Sequence, residues 1–181
     1  MNDLVRNDLA QYVRAIPDYP RKGIIFRDVT TLFCNASGFR RTVEAMAGAF
    51  RERGIDMVAG IDARGFILGG AIAVELGKGF VAVRKRGKLP AEVYREEYSL
   101  EYGVDEVEIH VDAVPAGSRV LLVDDLIATG GTAMAAVKLI ERAGGTVPAA
   151  AFAIDLPDLG GAKGLRDKGV DVFSVLSFEG D

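Results

Sequence analysis

The stretch VLLVDDLIATGGTA, from Val120 to Ala133, decides the fold. Its leading apolar residues read as a buried strand, Asp124 and Asp125 follow at the strand's carboxyl end, and a turn of small residues opens directly into a helix. In an open α/β sheet that order places the two acids at the crevice where such proteins bind ligands. The turn Ala128-Thr129-Gly130-Gly131-Thr132 carries little side-chain bulk. Successive backbone N–H groups can therefore converge on one phosphate at a helix N-terminus, with the Thr129 and Thr132 hydroxyls adding donors. Neither GxxxxGK[ST] nor GxGxxG occurs in the chain, so a P-loop kinase and an ordinary dinucleotide site both lack their fingerprint.

Two acids beside a phosphate repel it unless they bind hydroxyls or work beside a divalent cation. A phosphorylated ribose satisfies this: the carboxylates accept from its ring hydroxyls while Mg2+ and backbone amides carry the phosphate charge. Acids after a strand, or glycines before a helix, are each common in α/β domains; the joined unit is specific.

Outward from this unit, short apolar runs alternate with helix-like stretches, the rhythm of buried parallel strands with crossover helices. Strands are expected at Met57–Ile61, Phe80–Val83, Val120–Val123, Val147–Ile154 and Val172–Leu176, and helices at Gly65–Leu76 and Ala133–Ala143. Val5, Leu9, Tyr12, Val13 and Ile16 recur at helical spacing, which predicts an opening amphipathic helix ended by Pro17 and Pro20. Ser37 reads as the N-cap of a second helix with buried stripe Phe39, Val43, Met46, Ala47 and Phe50, stopped near Gly54. Ala91–Val111 is long and charge-rich, with Tyr98, Leu100 and Tyr102 alternating, then Val107, Ile109 and Val111. It reads as a mobile hairpin over the sheet edge, a candidate lid.

Composition narrows the class further. A chain of 181 residues, 49% hydrophobic, buries roughly 70% of its unfolded surface, enough for one core. No apolar run approaches the ~20 residues a membrane span needs. The start, Met1 to Asp8, has no signal-like apolar run, and Cys34 is the only cysteine; both lead to the expectation of a cytoplasmic protein. A net charge of -4 and a sequence pI near 5.1 argue against a general nucleic-acid surface. The one basic cluster, RKRGKLP from Arg84 to Pro90, follows a strand and requires a local reason. His110 has no metal-ligand spacing around it, and Cys34 reads as packing.

The Val120–Ala133 unit resembles the signature that binds phosphoribosyl pyrophosphate (PRPP) in type I phosphoribosyltransferases. Four further segments make the chain similar, nearly end to end, to the adenine-specific branch of that family: GIIFRD (Gly23–Asp28), GIDARGF (Gly60–Phe66), RKRGKLP, and YSLEYG (Tyr98–Gly103). The resemblance implies a single α/β domain over 1–181 with a mostly parallel central sheet flanked by helices. Within it, 1–35 would supply the N-terminal helix and a small base-binding hood, and 91–111 a flexible catalytic hairpin. It implies purine salvage, in which adenine and PRPP give AMP and pyrophosphate, in a homodimer, since the arginine of the basic segment reaches into the neighbouring subunit's site, with Mg2+ held mainly through PRPP rather than by direct protein ligands.

Residue by residue, the resemblance assigns Asp124, Asp125, Ala128, Thr129, Gly130, Gly131 and Thr132 to PRPP and its phosphate, and Ala63, Arg64, Arg84 and Lys88 to pyrophosphate. Ile25, Phe26, Arg27 and Leu156 would meet adenine, Phe26 by stacking and Leu156 on the opposite face of the ring. Glu101 would accept or redistribute the proton of the attacking imidazole, under a lid that includes Tyr102. Each has a plainer alternative: a core Phe26 and Leu156, a salt bridge from Arg64 to a nearby acid, a solvated basic loop, a solvated Glu101. Other functions weighed are transfer to xanthine, hypoxanthine or orotate, and a regulator that binds PRPP without reaction. The hood and YSLEYG disfavour the former, the absence of a DNA-binding preamble the latter.

Overall fold

The computed structural model describes residues 8–99 and 103–179. Residues 8–10 are helical, but the expected opening helix does not continue to Ile16. Instead β1 (Arg14–Pro17) pairs antiparallel with β2 (Ile25–Asp28), Ile16 opposite Phe26. The prolines account for the difference. A residue before proline is pushed to extended backbone, so Ile16 and Tyr19 cannot prolong a helix.

Helices α1 (Thr30–Cys34) and α2 (Ala36–Gly48) follow. The N-cap of α2 is Asn35 rather than Ser37: its side chain accepts from the Gly38 amide at 2.8 Å, leaving Ser37 inside the first turn. Val43, Met46 and Ala47 form the buried face as the spacing predicts, with Phe50 buried beyond the helix end at Gly48 and Gly54 in the loop after it.

The main sheet is assembled from β3 (Met57–Ile61), β4 (Gly79–Lys85), β5 (Val93–Ser99), β6 (Val104–His110), β7 (Arg119–Ile127), β8 (Thr146–Asp155) and β9 (Asp171–Ser177). Its seven strands run in the order β5-β6-β4-β3-β7-β8-β9, with β4, β3, β7, β8 and β9 parallel. Helices α3 (Arg64–Leu76), α4 (Gly131–Arg142) and α5 (Gly161–Asp167) complete the chain. The crossover after β3 leads through α3 to β4 on one side. The crossover after β7 leads through α4 to β8 on the other. The carboxyl ends of β3 and β7 are therefore the topological switch point, where an open α/β sheet forms its crevice.

Strand alternation divides the core between the two faces of the sheet. Val120 and Leu122 join Ala136, Ile140 and Leu165 on the α4 and α5 side. Leu121 and Val123 join Met46, Leu68 and Ile72 on the α2 and α3 side. Each fully buried Val, Leu, Ile or Met side chain among these contributes about 1.5–3 kcal/mol. Burial on both faces is why these strands read as near-continuous apolar runs.

The two described strands of the Ala91–Val111 segment do not lie over the sheet edge: they extend it. β5 and β6 pair antiparallel, and β6 joins β4 through Arg84 opposite Glu108 and Lys85 opposite Val107. The hairpin also rests on α4, where Lys138 Nζ donates to Glu96 Oε1 at 2.7 Å and the Arg142 guanidinium sits 4.7 Å from the Tyr94 ring centroid.

Candidate active site

The strand expected to end at Val123 continues to Ile127, so Asp124 and Asp125 lie within β7 rather than after it. Val123 is only where β3 stops pairing, opposite Gly60; on the other side pairing with β8 runs on to Ile127 opposite Asp155. The acids therefore occupy the length of β7 that β3 leaves uncovered. Here the switch point opens into a cleft of about 230 Å³ lined by Arg64, Asp124, Asp125 and residues 126–133.

The floor of this cleft is the small-residue turn. Gly130 caps α4 with φ 81°, and its carbonyl accepts from the Met134 amide at 2.9 Å. The first-turn amides of α4 have no intrahelical acceptor, which suits them to an anion. The turn is held from behind by Gly161, whose amide donates to Ala128 O at 2.9 Å. A Cβ on Gly161 would come within 2.3 Å of that same oxygen, and one on Gly130 within 2.8 Å of Gly161 Cα. Gly161 is a site residue that sequence reasoning missed; the Gly160-Gly161 pair was its signal.

Arg64 begins α3, with Ala63 as N-cap and a cis peptide joining Asp62 to Ala63. Its Nε donates to Asp125 Oδ2, so it lines the cleft and also makes the salt bridge weighed as its plainer alternative. Burial lowers the Arg64 pKa, but the carboxylates of Asp125, then Asp124 and Asp28, together outweigh this and raise it, keeping the guanidinium charged. Asp124 is raised well above the usual carboxylate range, first by burial and then by the charge of Asp125; the Asp125 amide, 2.8 Å from Asp124 Oδ1, opposes the shift in part.

Beside the cleft, Arg84 Nε lies 3.3 Å from Asp62 Oδ2 and its Nη1 donates to Lys88 O at 3.1 Å. Arg84 is thereby attached to the Asp62–Ala63 turn. Lys85 pairs with Asp105 and Arg86 with Glu106, whereas Lys88 has no ion pair among the described residues. Neither Arg84 nor Lys88 lines the cleft itself.

The hood is the β1–β2 hairpin. Asp28 anchors it: Arg14 Nε donates to Oδ2 at 3.1 Å, and the Thr30 amide and hydroxyl donate to Oδ1 at 2.9 and 2.6 Å. Donation from Thr30 and then Arg14 lowers the Asp28 pKa to about 2. Phe26 is half-buried, its ring edge-to-face with Tyr19 at 5.3 Å. Arg27 stacks on the Phe178 ring at 4.4 Å, and the Phe178 amide donates to Asp155 O at 3.1 Å. Leu156, buried, donates its amide to Ile127 O at 3.0 Å. Hood, Leu156 and the end of β7 are thus tied together, with Ile25 in the same strand as Phe26. Phe178 was not singled out from sequence, where it reads as an isolated terminal aromatic. Glu101 and Tyr102 lie outside the described residues.

Paired carboxylates at a switch point, ahead of a small-residue turn that opens a helix, define the class of phosphoribosyl-transferring α/β enzymes. Residues 31–176 match the model of the phosphoribosyl transferase domain family. The chain is 57% identical over 171 residues to an adenine phosphoribosyltransferase of Chlorobium limicola, covering 93% of this chain and 97% of that protein. It is 59% identical to one of Azorhizobium caulinodans, covering 96% and 97%. Among solved structures, the adenine phosphoribosyltransferase of Thermoanaerobacter pseudethanolicus superposes with a TM-score of 0.91 at 47% identity, covering 96% of this chain and 99% of that one. That of Saccharomyces cerevisiae, complexed with an imino-altritol bisphosphate and adenine, superposes with a TM-score of 0.89 at 38% identity, covering 97% and 100%. The chain belongs to the adenine phosphoribosyltransferase family, and its activity is that pentosyl transfer.

Proposed function

We propose that PRPP lies along the switch-point cleft with its 5-phosphate on the amides of residues 128–132 and its ribose diol on Asp124 and Asp125. The observation that carries this is the acid pair on the uncovered length of β7, directly ahead of a small-residue turn that lines the same cleft and opens α4. Displacement of pyrophosphate builds positive charge on the ribose and negative charge on the leaving group. The carboxylates would face the former; Arg64 and the amides at Ala63 would face the latter, joined by Arg84 and Lys88 of the basic loop, which lie outside this cleft and would reach a neighbouring subunit's site.

Among the described residues no group of three or more His, Cys, Asp or Glu side chains could hold a metal ion. The hard oxygen donors at the cleft, Asp124 and Asp125, fit Mg2+ that arrives as its PRPP complex. That ion would supply charge neutralisation to the leaving pyrophosphate.

Adenine would enter between Phe26 and Leu156, with backbone groups at Ile25 and Arg27 reading its edge. Acceptors matched to its exocyclic amine would reject a 6-oxopurine by leaving polar groups unpaired, by as much as about 10,000-fold. Glu101 would take the imidazole proton or hydrogen-bond the ring, for about 100- to 10,000-fold in rate. The hairpin that carries it would cover the site and exclude water.

The working unit is a cytoplasmic homodimer. Ile67 and Val74, one face of α3 at i and i+7, are exposed at 49% and 83%, an apolar face that a second copy would cover. No described helix is long and apolar enough to cross a membrane.

Calorimetry with Mg2+ present tests the central claim: the folded protein takes up PRPP and AMP, and Asp125→Ala weakens both. Absence of PRPP uptake by the wild-type protein rejects it. Labelled adenine, hypoxanthine, guanine and orotate offered with PRPP test the hood, with turnover expected for adenine alone.

A further inference from the structure

The basic loop between β4 and β5 is wrapped around a buried carboxylate. The Lys88 and Leu89 amides both donate to Glu108 Oε1 at 3.0 Å, and Arg95 Nε lies 3.4 Å from Oε2. Glu108 is 1% exposed and stands between the buried Val107 and Ile109. Ionised carboxylates in such surroundings are costly unless their oxygens are hydrogen-bonded. Here the loop backbone supplies the donors, with Gly87 at φ 74° allowing the chain to turn so that its amides converge.

The Lys88 backbone is thereby held on both sides: its N–H donates to Glu108, and its carbonyl accepts from Arg84 Nη1 at 3.1 Å. Arg84 in turn reaches Asp62, next to the turn that starts α3. Removing Glu108 would free two amides and release the peptide that fixes Lys88 relative to Arg84. The Lys88 and Leu89 amides face inward on Glu108, so at these two positions the side chains rather than the amides are left for a ligand.

We propose that Glu108 is a positioning residue for PRPP: its carboxylate moulds the Arg84–Lys88 loop into the shape that presents those two cations to pyrophosphate. This rests on the reading of that loop as pyrophosphate-binding. A purely structural acid would affect both substrates alike. A positioning acid affects PRPP selectively, because the partners of Glu108 are the Lys88 and Leu89 amides and the Arg95 side chain, all in the basic loop and β5 rather than in the hairpin read as taking adenine.

Steady-state kinetics on the full-length enzyme, with melting temperatures recorded alongside, make the test. Glu108→Asp keeps the charge but shortens the reach; Glu108→Gln keeps the reach of Oε1 and loses the charge. Loss of two amide hydrogen bonds should raise KM for PRPP about tenfold in Glu108→Asp, with KM for adenine within about twofold. Glu108→Gln should recover most of the PRPP affinity.

Lys88→Ala is the control for the underlying reading and should raise KM for PRPP without lowering the melting temperature. If Lys88→Ala raises it and Glu108→Asp does not, the positioning role is overturned while the loop reading survives. If Glu108→Asp raises both KM values and lowers kcat in step with its melting temperature, the role is structural and the proposal also fails. If neither Lys88→Ala nor Arg84→Ala moves KM for PRPP, the loop reading itself is wrong.

Discussion

Arg64, the first residue of α3, donates its Nε to Asp125 on β7, so one ion pair spans the cleft between the two strands of the switch point. The contact fixes Asp125 while leaving the rest of the guanidinium fork for a second anion. It also explains how a residue read for pyrophosphate and a residue read for ribose can be neighbours without conflict. Charge-assisted hydrogen bonds of this kind are worth about 1.5–3 kcal/mol. Arg64→Ala should therefore raise KM for PRPP by about 10- to 100-fold. Arg64→Lys should recover little of this, because a point charge cannot serve two acceptors with a rigid fork. Wild-type kinetics in the Lys variant would show that charge alone suffices.

Asp124 illustrates function placed at the expense of stability. Its folded pKa lies well above the usual value of 3.8, through burial and the neighbouring Asp125. The folded state therefore holds this proton more tightly than the unfolded chain, and stability declines as pH rises from about 4 towards the folded pKa. Asp124→Asn preserves the Oδ1 that accepts from the Asp125 amide and removes the charge. Calorimetric scans of the ligand-free variant should show a higher melting temperature than wild type at pH 7–8, with the gap closing near pH 4. Turnover should fall steeply. A variant no more stable than wild type at neutral pH would mean Asp124 is not strained by its surroundings.

Gly161 and Gly130 meet backbone to backbone beneath the turn of residues 128–132. Gly161→Ala would drive a methyl to within 2.3 Å of Ala128 O, with no flexible side chain to give way. Strain of that kind costs about 1–3 kcal/mol, and relief requires the turn to move. We expect a lower melting temperature together with weakened AMP binding by calorimetry. Unaltered AMP affinity in the variant would disconnect the α5 N-terminus from the phosphate site.

Much of this was legible in the letters, and the failures have identifiable causes. β3 was read to its exact ends because burial on both faces leaves an uninterrupted apolar run between turn signals. Asp124 and Asp125 were placed correctly at the crevice, although their strand was ended early: a carboxylate inside a strand looks like its terminus when the missing β3 partner is unknown. The hood strand β1 was hidden because Ile16 continues a helical spacing, and only its pairing with Phe26 reveals the extended backbone. Glu108 alternates with Val107 and Ile109 and so reads as solvent-facing; the fold buries it because the basic loop closes over that face. Contacts between segments distant in sequence, Arg27 on Phe178 and Gly161 on Ala128, leave no local periodic signal.

Phe26 projects from β2 with its ring against Tyr19 rather than deep in either core cluster. A stacking role predicts a selective defect. Phe26→Ala should raise KM for adenine about tenfold, the scale of aromatic stacking on a base, while KM for PRPP stays within about twofold. Phe26→Tyr should be close to wild type. Equal changes in both KM values would instead mark Phe26 as a structural aromatic.

The hood has its own acid limit. Asp28 has a folded pKa of about 2 against 3.8 for the free residue, chiefly because Thr30 and then Arg14 donate to its carboxylate. For a depressed carboxylate the stabilisation is complete above the unfolded value and disappears as pH falls through the folded one. The hairpin should thus stay fastened at pH 5 and loosen between about pH 4 and 2. In Asp28→Ala the fastening is absent at every pH, so KM for adenine at pH 7 should rise while PRPP binding persists. Its melting temperature should fall below wild type at neutral pH and approach it in acid. Melting curves of the two proteins that stay parallel down to pH 2 would place the Asp28 pKa near its ordinary value and remove the basis for this anchor.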